Sequence, residues 1–225
     1  MKVPGFLPDT EVVRNDLLDY IVEVEHFDNH LLKMIDFLRE KGELENTFIL
    51  VTADNGMPFP RAKANLYEFG IHAPMAMRWE KGIPGGRIVD DLVSFLVLAP
   101  SFLDLAGCER WPEITGSSLC SLIQAMGSGR LEPQRRWVLS GRERHTHARP
   151  DNLGYPSRAI RTHQFLYIRN FAPERWPAGD EFHDIDACPS LTFLRERADT
   201  PQGSFFLEAS VGKRPAEECF DILKD

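Results

Sequence analysis

The chain has 225 residues, of which 43% are hydrophobic and 27% charged, with a formal net charge of −8. This composition suits an ordinary packed core, and the acidic balance excludes the concentrated basic surface that nucleic-acid binding requires. No apolar run approaches 18 residues, which argues against a membrane-spanning helix, and the four cysteines form no CxxC pair of the zinc-ribbon kind.

Residues 1–13 are punctuated by Pro4, Gly5 and Pro8 and predict an extended entry segment without a signal-peptide pattern. From Arg14 to Lys41, Leu17, Leu18, Ile21, Val24, Phe27, Leu31, Leu32, Ile35 and Leu38 recur at helical spacing. That periodicity predicts an amphipathic helix with one buried side, stopped by Gly42. Thr47 to Thr52 is then a short β-favouring run that ends abruptly in Asp54-Asn55-Gly56. Such a run predicts a strand buried on both faces, as in a parallel sheet.

Residues 55–73 form a long loop marked by Pro58, Pro60 and Gly70, and loops of that length are commonly functional or disordered. Pro74 to Trp79 predicts a second buried strand. A helix is expected from Pro100 to Gly107, and a further short one near Leu119 to Ile123. The character changes near 127–134. Beyond it, Trp137–Ser140, Ala159–Thr162 and Phe165–Arg169 predict strands, the last two forming a hairpin around His163-Gln164. A helix is expected over 191–198. The division is thus an α/β part over 1–128 and a small antiparallel α+β part over 129–225.

In open α/β sheets the chemistry lies just beyond the carboxyl ends of the strands. Asp54 and Asn55 stand there with oxygen donors suited to Ca²⁺ or Mg²⁺, although on the dipeptide alone an ordinary Asn-Gly turn is the plainer account. Lys63, with Arg61 nearby, could hold an anion as a point charge or simply be a solvated loop lysine. Glu68 and His72 read equally as structural residues. Gly141 to Arg149 gathers Arg142, Arg144, His145, His147 and Arg149 on one loop. That density fits either a charged surface or forked recognition of sulfate, phosphate or carboxylate. No GxSxG elbow, P-loop or HExxH occurs.

Taken together, Thr47 through Asp54-Asn55-Gly56, Lys63, and Asn65-Leu66-Tyr67-Glu68 to His72-Ala73-Pro74 closely resemble the sulfatase family of the alkaline-phosphatase superfamily. Asp54 to Pro60 followed by Asn65-Leu66-Tyr67 resembles its heparan N-sulfatase branch, as do Gly141–His145, Asn152–Pro156, Arg158–Arg161, Val3–Asp9 and the closing Phe220–Asp225. The resemblance implies an alkaline-phosphatase-like, mixed and mainly parallel sheet with flanking helices, of which this chain would hold the C-terminal portion. It implies Ca²⁺ bound by Asp54 and Asn55 and Lys63 in contact with the sulfate group; from the dense Arg/His loop, Arg142 and His145 are the candidate substrate-binding residues. The substrate would be a sulfated, heparan-type sugar, and the compartment periplasmic, secreted or lysosomal.

The family's nucleophile is a formylglycine made within C/S-x-P-x-R, and no such string occurs in these residues. Cys188-Pro189-Ser190 is the nearest and lacks both the spacing and the arginine. Val97 stands where relatives usually carry Asp, and His72 replaces a common Arg. The chain alone is therefore expected to be inactive and prone to self-association. Two alternatives remain at this point: a phosphoesterase of the same superfamily, which Asn55 disfavours as a zinc or manganese ligand, and a non-catalytic module that binds sulfated glycans.

Overall fold

The computed structural model describes residues 1–224. Helix α1 spans Glu11–Glu40. Thr10 caps it from an extended backbone, its Oγ1 accepting the Val13 N–H at 3.4 Å. Gly42, at φ +71°, ends it and donates to the Arg39 carbonyl. The expected single buried side is found only at the start, where Val13, Asp16 and Leu17 are buried. Further along, Ile21, Val24, Phe27, Leu32 and Phe37 are exposed. The reason is local: Leu194 packs on Val13 and Leu17, whereas Leu31, Ile35 and Leu38 in the later turns are only partly buried.

Strand β1, Ile49–Thr52, pairs antiparallel with β2, Met75–Arg78, from Ile49 opposite Arg78 to Thr52 opposite Met75. The residue pattern pointed to two strands buried on both faces, as in a parallel sheet. Here the two strands form a sheet of their own, all four β1 residues are only partly buried, and β2 alternates in exposure. Full burial needs a layer on each face and a neighbour on each edge, and β1 has one described neighbour. Parallel pairing among the described residues is confined to the isolated bridge between Val89 and Gly129.

The loop after β1 contains one helical turn, α2 (Glu68–Ile71). Helix α3 runs Leu98–Leu105, starting two residues ahead of Pro100, and α4 is Cys120–Gln124. Val97, Leu119, Leu122 and Ile123 close a small core between them. The buried Ser101 Oγ accepts the Leu119 N–H at 2.8 Å and so ties the two segments.

Strands β3 (Trp137–Arg142), β4 (Ser157–Thr162), β5 (Phe165–Asn170) and β6 (Glu217–Asp221) form an antiparallel sheet in chain order. The β4–β5 turn falls at His163-Gln164 as expected, with Thr162 Oγ1 accepting the Phe165 N–H at 2.9 Å. Helices α5 (Pro189–Glu196) and α6 (Pro201–Val211) lie between β5 and β6 in the chain. Two core clusters straddle residue 128. One joins Leu7, Val13, Leu17 and Phe59 to Leu194; the other joins Leu66 and Tyr67 to Ala159, Leu166 and Ile168. The loop after β1 is thereby packed against the C-terminal sheet.

Candidate functional site

Asp54 and Asn55 are exposed at the end of β1. The chain then turns sharply at Gly56, where a Cβ would fall 1.9 Å from the Phe69 carbonyl oxygen. Only glycine permits that approach. The loop closes further on, with the Lys63 N–H donating to the Met57 carbonyl at 3.1 Å. Arg61 and Ala64, one on each side of Lys63's neighbourhood, have left-handed backbones at φ 64° and 60°. Each such conformation costs a non-glycine residue about 1–2 kcal/mol, so the surroundings must enforce it.

The C-terminal half does so. Arg61 donates to the Ala209 carbonyl at 2.6 Å while its guanidinium lies 3.9 Å above the Tyr67 ring. Tyr67 donates to Glu218 at 2.8 Å, and burial, first among several causes, pushes its phenol well above the usual range. Glu68 accepts from Arg161 at 2.8 Å and lies 3.3 Å from His72. Burial opposes the Glu68 charge, but Arg161 and His72 together hold its carboxyl below the ordinary value. Glu68 thus ties the loop to β4, while His72 stays exposed beside it. Arg142 donates to the Ala64 carbonyl itself.

Lys63 is presented by this pinned loop. Its ammonium meets the Asp186 carboxylate at 2.7 Å, with the Lys63 side chain one-quarter exposed and that of Asp186 half exposed. Arg61 is turned onto the Tyr67 ring, and Lys63 is the loop's other, partly exposed cation.

The loop after β3 is organised by Asp184, which is buried. It accepts from Arg142 at 2.8 Å, Arg149 at 3.2 Å and the Thr146 N–H at 3.0 Å. Burial pushes the Arg142 guanidinium below its ordinary value, and Asp184 works against that shift. Both arginines lie over Tyr155, whose phenol burial pushes up to about 12. Arg142 is therefore directed inward and its terminal nitrogens are taken by the Ala64 and Pro177 carbonyls and Asp184. A direct substrate contact does not suit that placement; support of the Lys63 loop does. His145 stays at the surface, with Nδ1 3.7 Å from Asp184.

Lys63, Arg142 and His145 accordingly converge on one short segment, Asp184-Ile185-Asp186. Sequence reading passed over these acids, although an acid-x-acid string just ahead of the Cys188-Pro189 helix start was a visible signal. Asp54 and Asn55 have the donor chemistry Ca²⁺ takes. They are two of the roughly six to eight oxygens such an ion needs, and no group of three His, Cys, Asp or Glu is assembled among the described residues. They suit one side of a shell.

The architecture is that of a sulfatase. The sulfatase family profile matches residues 4–108, and the profile of the N-sulphoglucosamine sulphohydrolase C-terminal region matches residues 61–184. The chain belongs to this N-sulphoglucosamine sulphohydrolase C-terminal family. It is 28% identical over its whole length to an ulvan-active sulfatase of Formosa agariphila, of which it spans 36%. It is 29% identical over 99% of its length to human N-sulphoglucosamine sulphohydrolase, of which it spans 44%. Among solved structures it is similar to a protein determined in complex with its substrate D-glucosamine-2-N,6-O-disulfate, at TM-score 0.58 and 26% identity over 67% of this chain and 31% of that one. The chain therefore spans less than half the length of these relatives, within an alkaline-phosphatase-like fold.

Proposed function

We propose that this chain supplies the anion-contacting side and one flank of the metal shell of a sulfatase that hydrolyses sulfate esters or sulfamates on sugars. One observation carries the reading: the loop that begins at Asp54 and Asn55 is cross-linked to the C-terminal half at Arg61, Ala64, Tyr67 and Glu68, and it carries the partly exposed Lys63. Lys63 would hold the sulfate through charge-assisted hydrogen bonds. Asp54 and Asn55 would donate oxygens to Ca²⁺, which when bound draws charge from the sulfate as a Lewis acid. Arg142 would keep the Ala64 backbone in place and so orient Lys63, while His145 would face the sugar from the neighbouring loop. The substrate class follows from the relatives with sulfated-sugar activities. No C/S-x-P-x-R string is present in the 225 residues, so the nucleophile is not furnished by them.

The test is sulfate release from an aryl sulfate and from N-sulfoglucosamine by the purified chain with Ca²⁺ added. Background rates are expected. Turnover above background would sink the assignment of these residues to one side of the site.

A further inference from the structure

Asp184 and Asp186 are two residues apart and have opposite situations. The Asp184 side chain is 1% exposed, and both its oxygens are used by Arg142, Arg149 and Thr146. The Asp186 side chain is 50% exposed and has one partner among the described residues, Lys63, through Oδ2. Its backbone is not a loose rim. The Asp184 N–H donates to the Ala178 carbonyl at 2.8 Å and the Ile185 N–H to Phe182 at 3.0 Å. Ile185 packs with Ala178, Leu191 and Val211, and Cys188 caps α5 immediately after. A carboxylate carried just after a packed segment therefore stands on the partly exposed Lys63 ammonium.

That arrangement has a chemical consequence. A simple anion approaching Lys63 must share the ammonium with Asp186 and lie close to its negative charge, which weakens binding. Lysine carries three N–H donors, so two remain for a ligand while one holds Asp186. The carboxylate in turn has lone pairs to spare and accepts hydrogen bonds only. A ligand with an O–H or N–H donor next to its anionic group satisfies both partners; a bare anion satisfies one and is repelled by the other.

We propose that Asp186 is a specificity-determining residue, the hydrogen-bond-accepting half of a two-point subsite in which Lys63 takes a sulfate group and Asp186 takes a hydroxyl or N–H donor on the adjoining sugar. This rests on the reading of Lys63 as the anion contact. It adds a substrate feature to that reading: a donor beside the sulfate, as in a sulfated amino sugar or a sulfated diol.

The experiment is an NMR titration of the 225-residue chain with two probes, N-sulfoglucosamine and inorganic sulfate, for wild type, Asp186→Ala, Asp186→Asn and Lys63→Ala. Thermal unfolding of each variant checks the fold. Wild type should prefer the sugar. Asp186→Ala should move the probes in opposite directions, sulfate tightening and the sugar weakening by about threefold or more, the scale of one exposed charged contact. Asp186→Asn, which keeps an acceptor without the charge, should tighten sulfate and retain the sugar. Both probes moving together, or neither moving in the Asp186 variants while Lys63→Ala weakens both, overturns the subsite and leaves the Lys63 reading standing. Binding of neither probe by wild type, or indifference of both to Lys63→Ala, overturns the Lys63 reading and the subsite with it.

Discussion

Arg142 donates to the buried carboxylate of Asp184 at 2.8 Å and, from the same guanidinium, to the Ala64 carbonyl one residue beyond Lys63. One side chain thus links the start of the Arg/His loop, the segment that carries Asp186, and the loop that presents Lys63. Arg142, a candidate ligand contact in the sequence, is turned inward and brackets these segments in the fold.

Removing the hub should be costly. Asp184→Ala leaves two buried guanidinium groups facing Tyr155 without their carboxylate. Breaking a buried pair from one side typically costs about 3–5 kcal/mol. Urea denaturation should show a loss on that scale, and much less for Asp186→Ala, whose carboxylate is half exposed.

Acid should loosen the contact between the Lys63 loop and β4. The Glu68 carboxyl is held below its ordinary value of 4.5 in the folded chain, burial opposing the shift and Arg161 with His72 producing it. A depressed carboxylate contributes stability above the unfolded value and loses it as pH falls through the folded one. Urea midpoints should therefore fall more steeply below about pH 4.5 for wild type than for Glu68→Gln.

The uncovered stretch of α1 should promote association. Val24, Phe27 and Met34 are exposed on one side of the helix, and exposed apolar patches of this kind favour contact between molecules. Sedimentation should show concentration-dependent self-association that Phe27→Glu with Met34→Glu reduces, with unfolding temperature unchanged.

Thiol labelling should separate the cysteines. Burial pushes the Cys188 thiol up to about 11, whereas Cys108 and Cys219 are exposed. At pH 8 the exposed pair should react first and Cys188 last, since the thiolate is the reactive form.

Much of this was legible in the sequence. The α1 periodicity, the turn at Gly42 and the β4–β5 hairpin follow from local chemistry that tertiary contacts did not override. Helix α6 escaped notice because its buried positions are Gly203, Ser210 and Val211, which make no apolar stripe. Strand β6 is Glu-Glu-Cys-Phe-Asp, an acidic edge that lacks the usual strand composition. In the site, Asp54, Asn55 and Lys63 stood out through their motif, whereas Asp184 and Asp186 act through contacts spanning 42 and 123 residues of chain. The Asp-x-Asp string itself is visible, but separation of that size hides which groups it meets. The inward turn of Arg142 was illegible for the same reason, since its partners are the Ala64 and Pro177 carbonyls and Asp184.

The central claim is that Lys63 is the anion contact of a sulfated-sugar site. NMR titration of N-sulfoglucosamine into the chain, comparing wild type with Lys63→Ala and Lys63→Arg, tests it most directly. Saturable shifts should centre on residues 54–64 and 184–186, weaken roughly tenfold in Lys63→Ala, as loss of a charge-assisted hydrogen bond implies, and recover in Lys63→Arg. Equal binding by wild type and Lys63→Ala, or shifts confined to other surfaces, would contradict it.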